Sequence, residues 1–160
     1  MPATPRDREK PRQERLREIM ESAQYLEGMT NSQQVIWGLG LKVNATHNYD
    51  FDIEKGEVYI NQELKEIAEL KEQTVPAGAE TTASQTCWVL LEVSPAGALT
   101  KTVSAKTEGT PVLPALTATR IAVAYIAIPK SYTVGTTELK TEYFKPIVYS
   151  AGNISPVAGY

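Results

Sequence analysis

Two textures divide the chain. From Arg12 to Glu27, the residues Leu16, Ile19, Met20, Ala23 and Leu26 recur at three- and four-residue steps, which puts them on one apolar stripe of a helix ending near Gly28. Within it Glu14 meets Arg17 favourably and Glu18 unfavourably, so local pairs leave the helix marginal and in need of a partner surface. Beyond Gly28 the apolar positions fall into short runs or strict alternation broken by turn residues about every ten positions, a pattern that predicts strands.

The individual runs predict particular pairings. Val35 to Val43 sets Trp37, Leu39 and Leu41 against Gly38 and Gly40, giving one large and one nearly bare face. Tyr49 to Ile53 alternates, Lys55-Gly56 reads as a turn, and Glu57 to Asn61 returns, so these two runs are expected to form a hairpin. Cys87 to Val93 ends in Ser94-Pro95-Ala96-Gly97, and Leu99 to Ala105 is placed to pair back across that turn. Ile121 to Ile128 alternates large with small side chains between Arg120 and Pro129 and is the expected central buried strand. Asn61 to Gln73 reads two ways: strong helix formers at helical spacing, or a period-two strand running into Thr74-Val75-Pro76.

The expected fold is mainly β, a single antiparallel β-sandwich or a β-barrel or tulip-like domain, with an N-terminal extended arm and a short α-helix. The arm with its amphipathic helix (about 12–27) covers residues 1–28, the β-rich domain 29–145 and a C-terminal tail 146–160. Pro2, Pro5 and Pro11 keep the first eleven residues extended, since each ring fixes φ and removes an amide donor.

Composition removes chemistries. The chain has 160 residues, a formal net charge of −3, one His and one Cys, so paired disulfides and structural zinc sites lack their ligands. Cys87 opens an apolar run and reads as packing. No Gly-x-Ser-x-Gly elbow accompanies His47 and Asp50, and Gly38-Leu39-Gly40 lacks the third glycine of a dinucleotide fingerprint. Asp50, Asp52 and Glu54 line one face of a strand, which reads as its solvated side and not as a calcium loop. No catalytic residue, metal site or cofactor is therefore expected, and the chain is read as no enzyme.

Charge is distributed unevenly. Five of the six Arg lie between Arg6 and Arg17, yet up to Glu27 six positive residues meet six negative ones, so the arm is neutral and not a polybasic nucleic-acid tail. No apolar stretch reaches the roughly 18 residues of a membrane span, and the polar opening is not a signal peptide, so neither membrane nor nucleic acid is an expected partner. From Thr74 to Thr141 fourteen Thr outnumber the charged residues, which suits solvated or partner-facing strands. Clustered aromatics at Tyr143, Phe144, Tyr149 and Tyr160 are candidate sugar- or protein-binding rings.

The runs Asn48 to Asn61, Val75-Pro76-Ala77-Gly78, Trp88 to Gly97, Pro111-Val112-Leu113-Pro114-Ala115 and Arg120 to Ile126 together resemble small β-rich structural proteins of tailed bacteriophages over about residues 40 to 140. That resemblance implies a virion component at the head surface, made in the host cytoplasm: a capsid decoration or cement protein, with a receptor- or glycan-binding head or tail fibre module as the alternative. The implied partners are a major capsid protein or other virion protein, and further copies of the chain in a homo-oligomer such as a trimer. The residues expected to touch the capsid are Arg6, Arg8, Arg12, Arg15, Leu16, Arg17, Ile19, Met20 and Ala23. The arm would order on binding, with its guanidinium forks on carboxylates and its stripe supplying apolar burial.

Overall fold

A computed structural model of the chain describes residues 33–149 and 156–158. The residues predicted to form the arm and its helix lie outside that range.

Eleven strands run through the described residues. β1 (Gln34–Gly38) and β2 (Leu41–Val43) are followed by β3 (Asp50–Ile53), β4 (Gly56–Ile60), β5 (Glu63–Ile67) and β6 (Leu70–Thr74). After them come β7 (Cys87–Val93), β8 (Leu99–Val103), β9 (Ile121–Ile128), β10 (Phe144–Tyr149) and β11 (Pro156–Ala158), with a 3₁₀ turn at Thr141–Tyr143. They make three antiparallel sheets, ordered β1-β4-β5, β2-β3-β6 and β11-β10-β9-β7-β8. The mainly β expectation holds, and none of the three sheets closes into a barrel.

The first two sheets are halves of one folded-over meander. Each of three chain paths, β1 to β2, β3 to β4 and β5 to β6, breaks at the same level, between the row Gly38, Gly56, Ile67 and the row Leu41, Ile53, Leu70. Across the break, Leu39 N still donates to Lys55 O and Glu54 N to Gly40 O at 2.9 Å, so the β1–β2 and β3–β4 paths stay bonded while bending. The backbones come very close there. A Cβ on Gly56 would lie 2.5 Å from Trp37 O, and one on Gly38 would lie 2.2 Å from Lys55 O.

The hairpin expected across Lys55-Gly56 is therefore corrected. β3 pairs with β2 and β6, while β4 pairs with β1 and β5. Gly56 serves close backbone approach, which the sequence pattern does not distinguish from a reversal. The chain reverses instead at Asn61-Gln62, both at positive φ (53° and 64°), the backbone of a two-residue type I′ loop. This also decides residues 61–73: they form a turn and parts of two strands, and no helix.

Inward residues of all three sheets share one core, including Phe51, Ile53, Val58, Ile60, Ile67, Val89, Leu91 and Ile126. β9 lies between β10 and β7, as its apolar run predicts, and β7 pairs back with β8 across Ser94 to Gly97. The other face of the five-stranded sheet carries Leu90, Glu92 and Tyr125, all buried. The irregular stretch before β9 crosses it, since Thr117 N and Oγ1 donate to the two Glu92 carboxylate oxygens at 2.9 and 3.3 Å. β10 runs through the boundary set between residues 145 and 146, and β11 pairs onto it.

Replacing Gly56 by Ala should cost at least about 1–3 kcal/mol, because the added methyl meets backbone that cannot yield without opening the bend. Gly109→Ala, where the nearest atom to a new Cβ is 3.8 Å away, should leave the urea midpoint unchanged within error. Equal midpoints for the two variants would contradict the packed bend.

Candidate functional site

The nine residues expected to touch a partner, Arg6, Arg8, Arg12, Arg15, Leu16, Arg17, Ile19, Met20 and Ala23, all lie outside the described residues.

The acidic strand face turns out to be internal. Asp50 and Asp52 are buried and only Glu54 is exposed, which corrects the solvated-face reading. Between Phe51 and Ile53 the β3–β6 register slips, so Lys71 and Glu72 oppose one residue, Asp52, and Glu72 takes φ 53°. The Asp52 carboxylate accepts from Glu72 N at 2.9 Å and from Asn44 Nδ2 at 2.8 Å. Asn44 Oδ1 in turn accepts from Thr46 N and His47 N at 2.9 and 2.8 Å, holding the β2–β3 loop. The bond from Asn44, with the Glu72 amide and the nearby Lys42 and Lys71, holds the Asp52 carboxyl below its ordinary range against the opposing effect of burial. This is a clamp on a bulge, with one carboxylate oxygen, Oδ1, engaged by two protein donors.

A second polar cluster sits at the seam between the sheets. Lys101 on β8 donates to Thr74 O at 2.7 Å and lies 5.8 Å from the Phe51 ring centroid. Burial pushes its ammonium below the ordinary range, and Asp50 partly opposes that. Tyr132 is buried, and neither its hydroxyl nor Asp50 Oδ1 has a hydrogen-bond partner among the described residues. The Tyr132 phenol is pushed up to about 12, first by burial and then by Asp50, Tyr143 and Glu80.

The remaining candidates are absorbed into packing or tethering. The Cys87 thiol is buried, donates to Ala79 O at 3.6 Å and is pushed up by burial, so it is a poor nucleophile. His47 packs its ring 5.6 Å from Tyr49. Phe144 lies 6.3 Å from Phe51, and both Tyr143 and Phe144 pack on the core, which takes them out of an exposed aromatic patch. Of the many Thr, several tie loops down. Thr81 Oγ1 donates to Pro129 O at 2.6 Å and accepts from Tyr132 N at 3.0 Å, joining the loops before β7 and after β9. No group of three or more His, Cys, Asp or Glu that could hold a metal ion occurs among the described residues, and no helix there is long and apolar enough to cross a membrane.

The feature with the geometry of a contact site is the outer face of the β1-β4-β5 sheet. Its rows are Trp37, Glu57, Glu66 and Gln34, Tyr59, Leu64, while Val58 and Ile60 point the other way into the core. Trp37 is 47% and Leu64 58% exposed, with Ile36 in the adjoining bulge at 44%. Trp37 Nε1 donates to Glu57 Oε2 at 2.9 Å, which orients the indole across the face. Glu57 and Glu66 stand directly opposite one another, a like-charge pair that disfavours the sheet unless a cation approaches. Lys65 is on the alternate side of β5 and pairs with Glu63 at 2.5 Å. The run around Trp37 shows a large strand face, but bringing Trp37 and Leu64 onto one surface takes the register of β1 with β4 and of β4 with β5, which the sequence pattern does not carry.

No protein-family model matches the chain, and no curated protein and no solved structure matches it.

Tyr132→Phe should be neutral or stabilising by about 1 kcal/mol, since it removes a buried hydroxyl that lacks a partner. It should also flatten the alkaline limb. A phenol raised in the fold favours the native state below its ordinary pKa near 10, and this contribution disappears as pH climbs toward about 12. Lys101, lowered in the fold, acts in the opposite sense, but wild type and variant share it. Urea midpoints from pH 8 to 12 make the comparison, and a large loss at pH 8 would show that the hydroxyl is bonded.

Proposed function

We propose that this protein is a virion structural protein that binds the assembled capsid surface as a decoration or cement protein, without catalytic activity or cofactor. The observation that carries the reading is the outward face of β1-β4-β5. It combines Trp37, Leu64 and Ile36 with the Glu57–Glu66 pair, and it lies where the chain leaves the predicted arm and enters β1.

Arm and face together offer what attachment to a repeating shell requires. A large aromatic brings buried area at low entropic cost, and flanking carboxylates select cationic partners. The stripe Leu16, Ile19, Met20 adds apolar burial at about 25 cal/mol per Å² before ordering costs are subtracted. The motif resemblance to tailed-phage structural proteins points the same way. The fibre alternative loses two of its four clustered aromatics, because Tyr143 and Phe144 are used for packing. Assembly into a homo-oligomer such as a trimer would cover the edges of β5 and β8, each of which ends its sheet among the described residues.

Purified shells incubated with wild type, with the chain lacking residues 1–28, and with Trp37→Ala should separate the contributions. Attachment should vanish without the arm and weaken about tenfold or more for Trp37→Ala, the scale of losing about 1.4 kcal/mol of contact. Circular dichroism checks that the β domain persists. Undiminished attachment of the truncated chain would overturn the proposal.

A further inference from the structure

We infer that in the free protein the apolar stripe of residues 12–27 packs on the outer face of this chain's own β1-β4-β5 sheet, with Arg12 and Arg15 brought to the Glu57–Glu66 pair. The stripe runs through Leu16, Ile19, Met20 and Ala23, and Arg12 and Arg15 continue it by one turn, each four residues before an apolar position. The face offers Trp37 and Leu64 for the stripe and two opposed carboxylates for the guanidiniums. Neither Glu57 nor Glu66 has an ion pair among the described residues.

Length and connection fit. Sixteen helical positions span about 24 Å, enough to cross the face, while a sheet of three strands is about 10 Å wide between its outer strands. The segment from Glu27 to Gln34 can extend to about 24 Å, so the helix reaches either edge of the sheet from the start of β1. A short tether of this kind supplies an effective concentration in roughly the millimolar range, which lets a modest interface close. Charge decides against the competing occupant. A second copy laid face to face would oppose Glu57 and Glu66 to the same residues of its neighbour, a repulsive arrangement, whereas the arm brings cations.

Such a contact stores the adhesive stripe against the chain itself until another surface displaces it. The inference rests on the proposed function only for the nature of that surface. The contact is measured on the free protein, so its failure would leave shell attachment untouched, and failure of shell attachment would leave the contact standing.

The test uses the full chain with Ser22→Cys carrying a nitroxide, on the polar side of the predicted helix. Cys87 is buried and stays unlabelled, so the tag is single. The Trp37 indole and Leu64 methyl NMR signals should be lost, and should return on reducing the nitroxide or on adding Leu16→Asp with Met20→Asp. Glu66→Arg should restore much of the signal, and Arg15→Glu in the same chain should abolish it again. Full signals in the labelled chain would overturn the inference. So would signal loss when tagged, isotope-free protein is mixed with untagged, isotope-labelled protein, because that result assigns the face to a second copy.

Discussion

Close backbone approach at one line across the meander governs the rest of the architecture. Three successive chain paths cross that line, and at two of them glycine sits where a Cβ would run into a neighbouring carbonyl. With Gly38 and Gly56 in register, β1-β4-β5 turns away from β2-β3-β6 while the ladder continues through Leu39 and Glu54. One three-stranded ribbon thereby presents two inner surfaces to a common core. A straight ribbon of the same length would leave half of its apolar side uncovered. The bend also makes strands of three to five residues out of paths that read as longer runs, and it is the reason neighbouring runs in sequence belong to different sheets.

The polar interior follows from the same geometry. Where β6 bulges against β3, an amide is left off the ladder, and the Asp52 carboxylate accepts from it. Where the five-stranded sheet would expose its second face, Glu92 is drawn inside, and Thr117 satisfies both oxygens, fixing the covering loop. Thr81 does similar work between two loops that carry no strand of their own. Asp50 and Tyr132 are the exceptions, since Asp50 Oδ1 and the Tyr132 hydroxyl have no hydrogen-bond partner among the described residues, and for Asp50 the opposite charge of Lys101 offsets part of the burial cost.

How much of this could be read from the sequence depended on range. Ile121 to Ile128 and the Cys87 to Val103 hairpin were legible, since β-branched runs, alternation and a Pro-Gly turn all agree locally. The strand path at 61–73 was hidden because its turn is Asn61-Gln62, where the second position holds Gln rather than the usual Gly, and because Glu, Leu and Lys there favour a helix in isolation. Lys55-Gly56 misled for the opposite reason: a residue pair typical of turns was placed there by backbone crowding from Trp37 and Leu39, residues far off in sequence. The carboxylates of β3 alternate like a wet face, yet a bulge on a strand twenty positions later internalises Asp52. The outer face emerged only once register aligned Trp37 with Glu66 and Tyr59 with Leu64.

That alignment ties the bend to the contact surface. If β4 had turned back on β3 at Lys55-Gly56, Glu57 would lie against the acidic strand and Trp37 would have no carboxylate to orient its indole. By carrying β4 onward, the bend sets Glu57 beside both Trp37 and Glu66, creating in one step an anchored aromatic and an acidic pair with no ion pair among the described residues. Apolar area alone is indiscriminate, and a like-charge pair alone disfavours the sheet. Side by side they favour an occupant that is apolar along one stripe and cationic at its end, which is the pattern of the residues that precede β1.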